Sequence, residues 1–418
     1  MRADLAASIE RRINTHIRED VPTEEDARSR RYRLRRTAGK LLGVEHRTGR
    51  CGCGAPAGGV QVMQKPNGRC IYQGVVTCGS IWTCPECASK IAARRSSEVT
   101  ELVKAHAKAG QAAYMATLTV KHGLGDNCES LRKSISKAWN MLMRSGSMRN
   151  LRDRYNVVGY VRSLEITHGK HGWHPHLHIL FLAGDMDKKD QTACADKVFD
   201  RWKHVLAKLD FEASRAGYDF QRATNADTAA QYVAKWGAGT EIAKGSEKLG
   251  KAGRSPWQLL DDCNAGDEWA GRLFVDYAKA FHGARHLTYA RGIRELYGLR
   301  KAAADEQLAL DDDLPEYEDG GEVYRLDLGL WRDLLDKRLT AQVLSAGESG
   351  GAKAIDDLLI RHGLCPSHDR PPDHTKYRTP QAAAGVKVQN FGGVRQELKD
   401  LANERKRSRD KFRCDLGG

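Results

Sequence analysis

Hydrophobic and polar positions along the middle of the chain predict strands that alternate with amphipathic helices. The predicted strands cover 112–122, 157–167 and 176–182, which are rich in β-branched and aromatic residues. The predicted helices cover 87–109, 129–145, 189–209 and 227–236, where apolar residues recur at three- or four-residue intervals. The order β-α-β-β-α, with a hairpin joined by a loop over 168–175, predicts an α+β fold. We expect a central antiparallel β-sheet flanked by helices.

Three alternating histidines stand at the end of this loop and the start of the strand that follows it. Alternate side chains of a strand share one face, so His174, His176 and His178 point the same way, together with two leucines further along. The intervening residues, at 177, 179 and 181, are also apolar. A strand that is apolar on both faces is typical of a central strand that is covered on both sides.

The histidines and one acid of the partner strand have the composition of a metal site. His176 and His178 lie about 7 Å apart on one strand face, and Glu165 of the partner strand can reach them across the hairpin. Two imidazoles and one carboxylate suit Mg²⁺, Mn²⁺ or a related divalent ion with open positions for substrate oxygens. The alternative is that these histidines lie at a strand end and are simply solvated or hydrogen-bonded.

A tyrosine and a lysine follow on a short predicted helix. Tyr232 and Lys235 are three positions apart and share a helix face. A tyrosine hydroxyl is a poor nucleophile at its usual pKa of about 10, but a nearby lysine and a metal-polarised phosphate can make it competent. In the alternative, the Tyr232 ring packs in the core and Lys235 is a surface charge.

Taken together, these stretches resemble a known family. The segments "TLT" (117–119), "GWHPHLHILFL" (172–182) and "QYVAKW" (231–236), in this order, resemble the rolling-circle replication initiators of small plasmids. These proteins are HUH endonucleases, in which two histidines flank a hydrophobic residue. The segments 78–95, 255–260 and 285–299 resemble the zinc-containing branch of these Rep proteins. The resemblance covers about residues 45–300 and implies an RRM-like central sheet.

The resemblance also implies a reaction. The initiator binds the plasmid double-strand origin, exposes single-stranded DNA and nicks one strand, and it later rejoins that strand. Tyr232 would be the nucleophile that keeps the 5′ phosphate and frees a 3′-OH, without a nucleotide cofactor. His176 and His178 would hold the metal, with Glu165 or His174 as the third ligand. Lys235 would position the phosphate or the metal.

One position departs from the family pattern. Members of this branch can use an acid one turn before the tyrosine to activate water at termination, and here that position is Thr228. The nearest acid is Asp227, which also fits a helix N-cap. No second tyrosine lies four residues from Tyr232, since positions 228 and 236 are Thr and Trp. A paired-tyrosine transfer is therefore disfavoured.

Cysteines concentrate before the predicted catalytic region. The chain has 11 cysteines, and six of them fall between Cys51 and Cys87. The candidate ligands of a structural zinc ion are Cys78, Cys84, Cys87 and one of Cys51 or Cys53. Cys70 is the least certain of the six, and the alternative is a set of buried thiols without metal. Arg94 and Arg95, just after this cluster, are candidate DNA contacts.

These features divide the chain into four predicted parts. Residues 1–50 form a basic helical segment, 51–95 a small Cys-rich zinc module, and 110–300 the nicking and joining domain. Residues 301–418 are predicted to be an acidic linker and a flexible C-terminal region, because 305–322 contains nine acids and no base.

Charge and hydropathy limit the partners. Lys and Arg total 68 against 54 Asp and Glu, a net charge of +14, which favours a polyanion such as origin DNA. With no signal-like N-terminus and no apolar run of about 18 residues, we expect a cytoplasmic bacterial protein without a membrane partner. The sequence leaves open whether host helicase and polymerase are partners.

Two other functions remain open at this stage. A single-tyrosine HUH transposase or a relaxase would share the metal site, although relaxases usually place the tyrosine before the histidine motif. A non-enzymatic zinc-containing DNA-binding regulator would explain the charge and the cysteines. That reading leaves the histidine strand and Tyr232 without a role.

Overall fold

The structure is a computed structural model, and it describes residues 26–56, 58–234, 253–299, 303–310 and 321–366. The side chains at 231, 232, 234 and 310 lie outside this description. Within these ranges no helix is long and apolar enough to cross a bilayer.

The elements in the described ranges are numbered in chain order. The strands are β1 (Val60–Gln64), β2 (Cys70–Gln73), β3 (Ala112–Thr119), β4 (Gly159–Gly169), β5 (Gly172–Ala183), β6 (Asp219–Arg222), β7 (Leu287–Tyr289) and β8 (Glu322–Leu326). The helices are α1 (Ala27–Leu42), α2 (Arg47–Arg50), α3 (Pro85–Lys108), α4 (Cys128–Arg144), α5 (Gly146–Arg154), α6 (Lys188–Ala207), α7 (Ala226–Ala234), α8 (Pro256–Asn264), α9 (Glu268–Ala280), α10 (Ile293–Leu296), α11 (Asp305–Leu310), α12 (Leu328–Asp336) and α13 (Thr340–Arg361).

The larger sheet is antiparallel and has the strand order β6-β3-β5-β4-β7. This confirms the predicted α+β class and the central place of β5. On one face of β5, Leu177 packs with Trp139 of α4 and Trp202 of α6. On the other face, Leu180 packs with Leu102 of α3 and Val233 of α7. Helices therefore cover both sides of the strand, as its apolar pattern predicted.

The hairpin between β4 and β5 is tighter than the sequence predicted. The two strands stay paired from Gly159↔Leu182 to Gly169↔Gly172, so the predicted loop over 168–175 is wrong. Gly172 has φ +85°, which lets the chain reverse there. Pro175 is tolerated because β5 pairs with β3 only from His176 onward, so no ladder bond is lost at 175.

A second, three-stranded sheet joins distant parts of the sequence in the order β2-β1-β8. Its core contains Val62 of β1, Trp331 of α12 and Leu359 of α13. The structure therefore differs from the expectation of a flexible region after 301, because 322–361 forms one strand and two helices. Acid-rich residues precede this segment in the sequence and obscured its apolar pattern.

Candidate active site and metal centres

Three neighbouring strands bring the predicted metal ligands together. Glu165 on β4 stands directly opposite His176 on β5, and Thr119 on β3 is opposite His176 on the other side. Thr117 is likewise opposite His178. Register partners share a sheet face, so the threonines of the "TLT" segment, the two histidines and Glu165 all lie on the face covered by α3 and α7.

Glu165, His176 and His178 form a compact ligand set. Their candidate ligand atoms all lie within 4.8 Å of one another. His178 Nε2 is 2.8 Å from Glu165 Oε2, and His176 Nε2 contacts the same oxygen. Thr117 Oγ1 lies 3.3 Å from His178 Nδ1, so it orients the ring through the nitrogen that does not face Glu165. These donors fit a divalent ion.

Burial keeps the two imidazoles neutral. Desolvation lowers the pKa of His178 to about 4 and holds the pKa of His176 well below its usual value, with His178 and His174 adding repulsion at His176. A neutral imidazole retains the nitrogen lone pair that a metal ion requires. Glu165 is 2% exposed and adds a carboxyl group to the pair. The two imidazoles therefore have the protonation state that a cation needs at neutral pH.

His174 pairs with a residue that the sequence analysis missed. His174 Nδ1 lies 2.7 Å from Nε2 of His122, in the loop after β3. Only Glu165, His176 and His178 form the compact ligand set among the described residues of this hairpin. The geometry therefore favours Glu165 over His174 as third ligand. His122 carries no sequence signal of its own, because only the fold of the β3 loop brings it to the hairpin.

Helix α7 covers the sheet face that carries the histidines. Its buried residues Ala229, Ala230 and Val233 share a hydrophobic cluster with Leu180 and Leu182 of β5. The predicted helix over 227–236 is thus present as Ala226–Ala234. Position 232 lies on this helix, but the Tyr232 side chain and all of Lys235 fall outside the described residues.

Asp227 is not the N-cap of this helix. The side chain of Asn225 accepts a hydrogen bond from the Thr228 backbone N–H at 2.8 Å, so Asn225 is the cap. Asp227 lies in the first turn and is exposed. The N-cap interpretation of Asp227 is therefore wrong, since the helix begins one residue earlier than predicted.

The three segments with resemblance to the zinc-containing branch converge beside Glu165. Trp82 donates a hydrogen bond from Nε1 to the Ala284 carbonyl at 2.8 Å, and its ring lies 5.4 Å from that of His286. Trp82, Trp257 and His286 line a small cavity together with Glu165. His286 is 3% exposed, and its ring nitrogens have no hydrogen-bond partner in the described structure. These segments therefore form the wall behind the Glu165 strand.

Four cysteines form a second metal-competent cluster. Cys51 Sγ lies 3.6 Å from Cys84 Sγ and 3.7 Å from Cys87 Sγ, and Cys78 Sγ lies 3.7 Å from Cys87 Sγ. Four thiolates about 2.3 Å from one tetrahedral zinc ion have sulfurs about 3.8 Å apart. The observed spacing therefore fits a buried Cys₄ metal site, which would close the loops between α2 and α3.

The remaining cysteines of the Cys-rich segment have other places. Cys53 is exposed and its thiol lies near backbone carbonyls, so it is not the fourth member of the cluster. Cys70 is buried in the core of the smaller sheet. In the cluster itself, hydrogen bonds from neighbouring thiols hold the pKa of Cys87 well below its usual value, whereas burial raises the pKa of Cys84. Full ionisation of the four thiols requires a cation.

The two arginines proposed as DNA contacts differ in exposure. Arg95 is 7% exposed and pairs with Glu98 at 3.0 Å and Asp305 at 2.9 Å. The prediction that Arg95 contacts DNA is therefore wrong, since Arg95 is buried and its ion pair with Asp305 links α3 to α11. Arg94 is half-buried and borders a basic cleft.

Comparisons with known proteins agree with these observations. A family described as "Replication protein" matches residues 72–327. A "Protein rep" of Streptomyces lividans is 29% identical over 336 residues, which cover 64% of this chain and 74% of that protein.

Two further relatives match shorter parts. A "Neomycin resistance protein" of Streptomyces cyanogenus is 29% identical over 154 residues, 31% of this chain and 35% of that protein. A "Protein rep" of Streptococcus pneumoniae serotype 2 is 29% identical over 105 residues, 24% of this chain and 31% of that protein. No solved structure matches the chain. The chain belongs to the replication protein family, which confirms the resemblance of its motifs to rolling-circle plasmid initiators.

Proposed function

We propose that this protein initiates plasmid replication by nicking one strand of the double-strand origin and later rejoining it. The observation that carries the proposal is the buried Glu165–His176–His178 cluster on the sheet face beneath α7. The cluster lies within residues 72–327, which match the replication protein family. The helix α7 carries a single tyrosine, Tyr232. A non-enzymatic DNA-binding regulator has no use for this arrangement.

The chemistry assigns a role to each side chain. Glu165, His176 and His178 would hold Mg²⁺ or Mn²⁺, which supplies Lewis-acid polarisation of the scissile phosphate. The Tyr232 hydroxyl releases its proton to solvent, and its oxygen attacks phosphorus and forms the new P–O bond. The P–O3′ bond breaks, and the leaving oxygen takes up a proton to become a 3′-OH. Lys235 offsets the charge that develops on the phosphate.

Rejoining is the reverse reaction and needs no nucleotide cofactor. The 3′-OH attacks the phosphotyrosine, the tyrosine oxygen leaves, and the phosphodiester is restored. Each step exchanges one phosphate ester for another, so bond energy is conserved. Asp227 is exposed at the start of α7, and we retain it as a candidate for activating water at termination.

The Cys₄ cluster has a structural role in this proposal. A zinc ion bound by Cys51, Cys78, Cys84 and Cys87 would stabilise a loop-rich segment that precedes α3. The cluster shares its core with residues of α1 and α3. Metal binding there would fix the start of the helix that packs on the catalytic sheet face.

The proposal is tested with a supercoiled plasmid that carries the cognate origin. The native protein with Mn²⁺ or Mg²⁺ is expected to produce nicked circles whose 5′ end is covalently linked to protein. Tyr232→Phe is expected to produce none, while a matched control, Tyr289→Phe on β7, is expected to nick. Nicking by Tyr232→Phe at the native rate would show that another group attacks, and origin binding without nicking by native protein would favour a regulator.

A further inference from the structure

Basic residues predominate among the charged side chains that line a cleft separate from the Glu165–His176–His178 cluster. It has a volume of about 700 Å³ and lies between α1, the start of α3 and the β1–β2 hairpin. Seven basic residues line it against one acid, Glu86. The basic residues are Arg28, Arg31, Arg35, Lys65, Arg69, Lys90 and Arg94.

Two helix faces form opposite parts of this cleft. Arg28, Arg31 and Arg35 are spaced three and four residues apart, so they lie on one face of α1. Lys90 and Arg94 are four residues apart on α3 and likewise share a face. Five basic positions of two helices therefore line the same depression.

The tip of the β1–β2 hairpin supplies the third part. Lys65 and Arg69 flank a tight turn that is closed by a hydrogen bond from the Lys65 N–H to the Arg69 carbonyl at 2.8 Å. The side chain of Asn67 accepts from the Arg69 N–H at 3.1 Å and stiffens the turn. Arg69 is exposed. Two cations are thus presented from a fixed hairpin toward the helix faces.

Acidic side chains balance only part of this charge. Glu348 pairs with Arg28, and Glu86 pairs with Arg31 at 2.7 Å. Arg35 is buried over the Tyr32 ring, near the thiols of the cysteine cluster. Arg94 forms no ion pair with any residue that the structure describes, and Arg69 forms none either, although its charge attracts the Glu348 carboxylate. An excess of positive charge in a concave surface attracts a polyanion and concentrates its phosphates.

The aromatic residues of the cleft indicate whether it suits single-stranded or duplex nucleic acid. Binding of single strands relies on exposed aromatic faces on which bases stack. Tyr32 and Trp331 line the cleft but are 6% and 2% exposed. Tyr72 packs edge-on against Trp331 and donates its hydroxyl to the Thr340 carbonyl at 2.7 Å. These rings are engaged within the protein, so the cleft offers charge for phosphates and no stacking platform.

We propose that this cleft binds the phosphate backbone of duplex DNA, with Arg69 and Arg94 as direct phosphate contacts. The inference rests on the proposed function for the identity of the polyanion. It adds a duplex-binding surface on the N-terminal helix, the Cys-rich segment and the β1–β2 hairpin, at residues other than those that hold the metal ion at the nick site.

The test compares two double variants of the full chain that lose the same charge. Arg69→Ala with Arg94→Ala alters the cleft, and Arg154→Ala with Arg272→Ala alters exposed arginines elsewhere. Binding of a labelled duplex of about 30 base pairs, and of one of its strands alone, is measured by fluorescence anisotropy at several salt concentrations. Zinc content and melting temperature establish that each variant is folded.

The cleft variant is expected to lose about tenfold in duplex affinity at about 0.1 M salt, and its salt slope is expected to fall by about 2 relative to the control. Equal duplex affinity and slope in both variants would overturn the proposal. An equal loss for the single strand would overturn the assignment to duplex DNA. Binding does not require nicking, and Tyr232→Phe is expected to bind duplex normally, so failure of the cleft proposal is distinguishable from failure of the proposed reaction.

Discussion

Glu165 and His176 are direct register partners in the β4–β5 hairpin, and Glu165 Oε2 contacts Nε2 of His176 and of His178. The arrangement follows from strand alternation, because every second residue of both strands points to the face beneath α3 and α7. A shift of one residue in register would separate the carboxylate from the imidazoles. The tight turn at Gly172 therefore fixes the composition of the site.

Glu165 rather than His174 is predicted to be the third metal ligand. Glu165→Gln is expected to weaken Mn²⁺ binding by at least about tenfold, whereas His174→Ala is expected to change it little, because loss of a ligand exceeds the effect of an outer contact. Isothermal titration calorimetry measures both affinities, and His204→Ala, an exposed residue of α6, is the control. If His174→Ala weakened Mn²⁺ binding more than Glu165→Gln did, His174 and not Glu165 would be the third ligand.

Cys51, and not Cys53, is predicted to complete the zinc site. Cys51→Ser is expected to lose bound zinc and melt at a lower temperature, because the metal contributes folding free energy. Cys53→Ser removes an exposed thiol two residues away and is expected to retain zinc. Metal analysis of the purified proteins, with thermal unfolding, checks the prediction. Zinc loss in Cys53→Ser alone would refute the assigned ligand set.

Asn225 is predicted to cap the helix that carries Tyr232. Asn225→Ala is expected to destabilise α7 by about 1 kcal/mol, since the Thr228 N–H loses its acceptor. Asp227→Ala leaves this bond in place and is expected to cost less. Hydrogen exchange at the amides of Ala229 to Val233 reports the local opening free energy. Faster exchange in Asp227→Ala than in Asn225→Ala would show that Asp227, and not Asn225, caps the helix.

His286 is predicted to make stability depend on pH. Burial lowers its pKa to about 4, with repulsion from Arg95, Arg162 and His178 adding to the effect. The unfolded chain binds a proton below a pH of about 6.5, so this contribution is complete above that pH and is lost as pH falls toward 4. Between about pH 8 and about pH 5.5, the loss is about 1.4 kcal/mol.

The measurement for this prediction is urea unfolding at both pH values. His286→Leu cannot titrate, so its free energy of unfolding is expected to decrease by about 1.4 kcal/mol less than that of the native protein. His204→Leu, at an exposed position, is expected to follow the native protein. If His286→Leu loses as much stability as the native protein, His286 does not titrate in the folded state as its burial indicates.

Local sequence patterns were sufficient to predict the elements around the site. Alternation identified β4 and β5, and with it the common face of His176, His178 and Glu165. The predicted loop of the hairpin was too long, because Gly172 and Pro175 are residues that often occur in loops. The strand tolerates Pro175 only because the adjacent strand β3 has already ended there. The order of strands in a sheet depends on tertiary structure, which the local sequence does not show.

Contacts between distant segments could not be read from the sequence. His122 meets His174 only through the loop after β3, and β8 joins β1 across about 260 residues of chain. Cys51 and Cys53 are equivalent by spacing, and the turn after α2 decides between them. Arg94 and Arg95 are neighbours, but a helix turns about 100° per residue, so one borders the basic cleft and the other is buried in ion pairs.

The central claim is that Tyr232 attacks the DNA, and mapping the covalent adduct tests it most directly. The native protein is reacted with an origin oligonucleotide and Mn²⁺, then digested with nuclease and trypsin. Cleavage after Arg222 and Lys235 gives a peptide that contains Tyr232 as its one tyrosine. The account predicts a nucleotide-phosphate mass on that residue in tandem mass spectra. A nucleotide on a different tyrosine, or nicked DNA with no modified peptide, would contradict it.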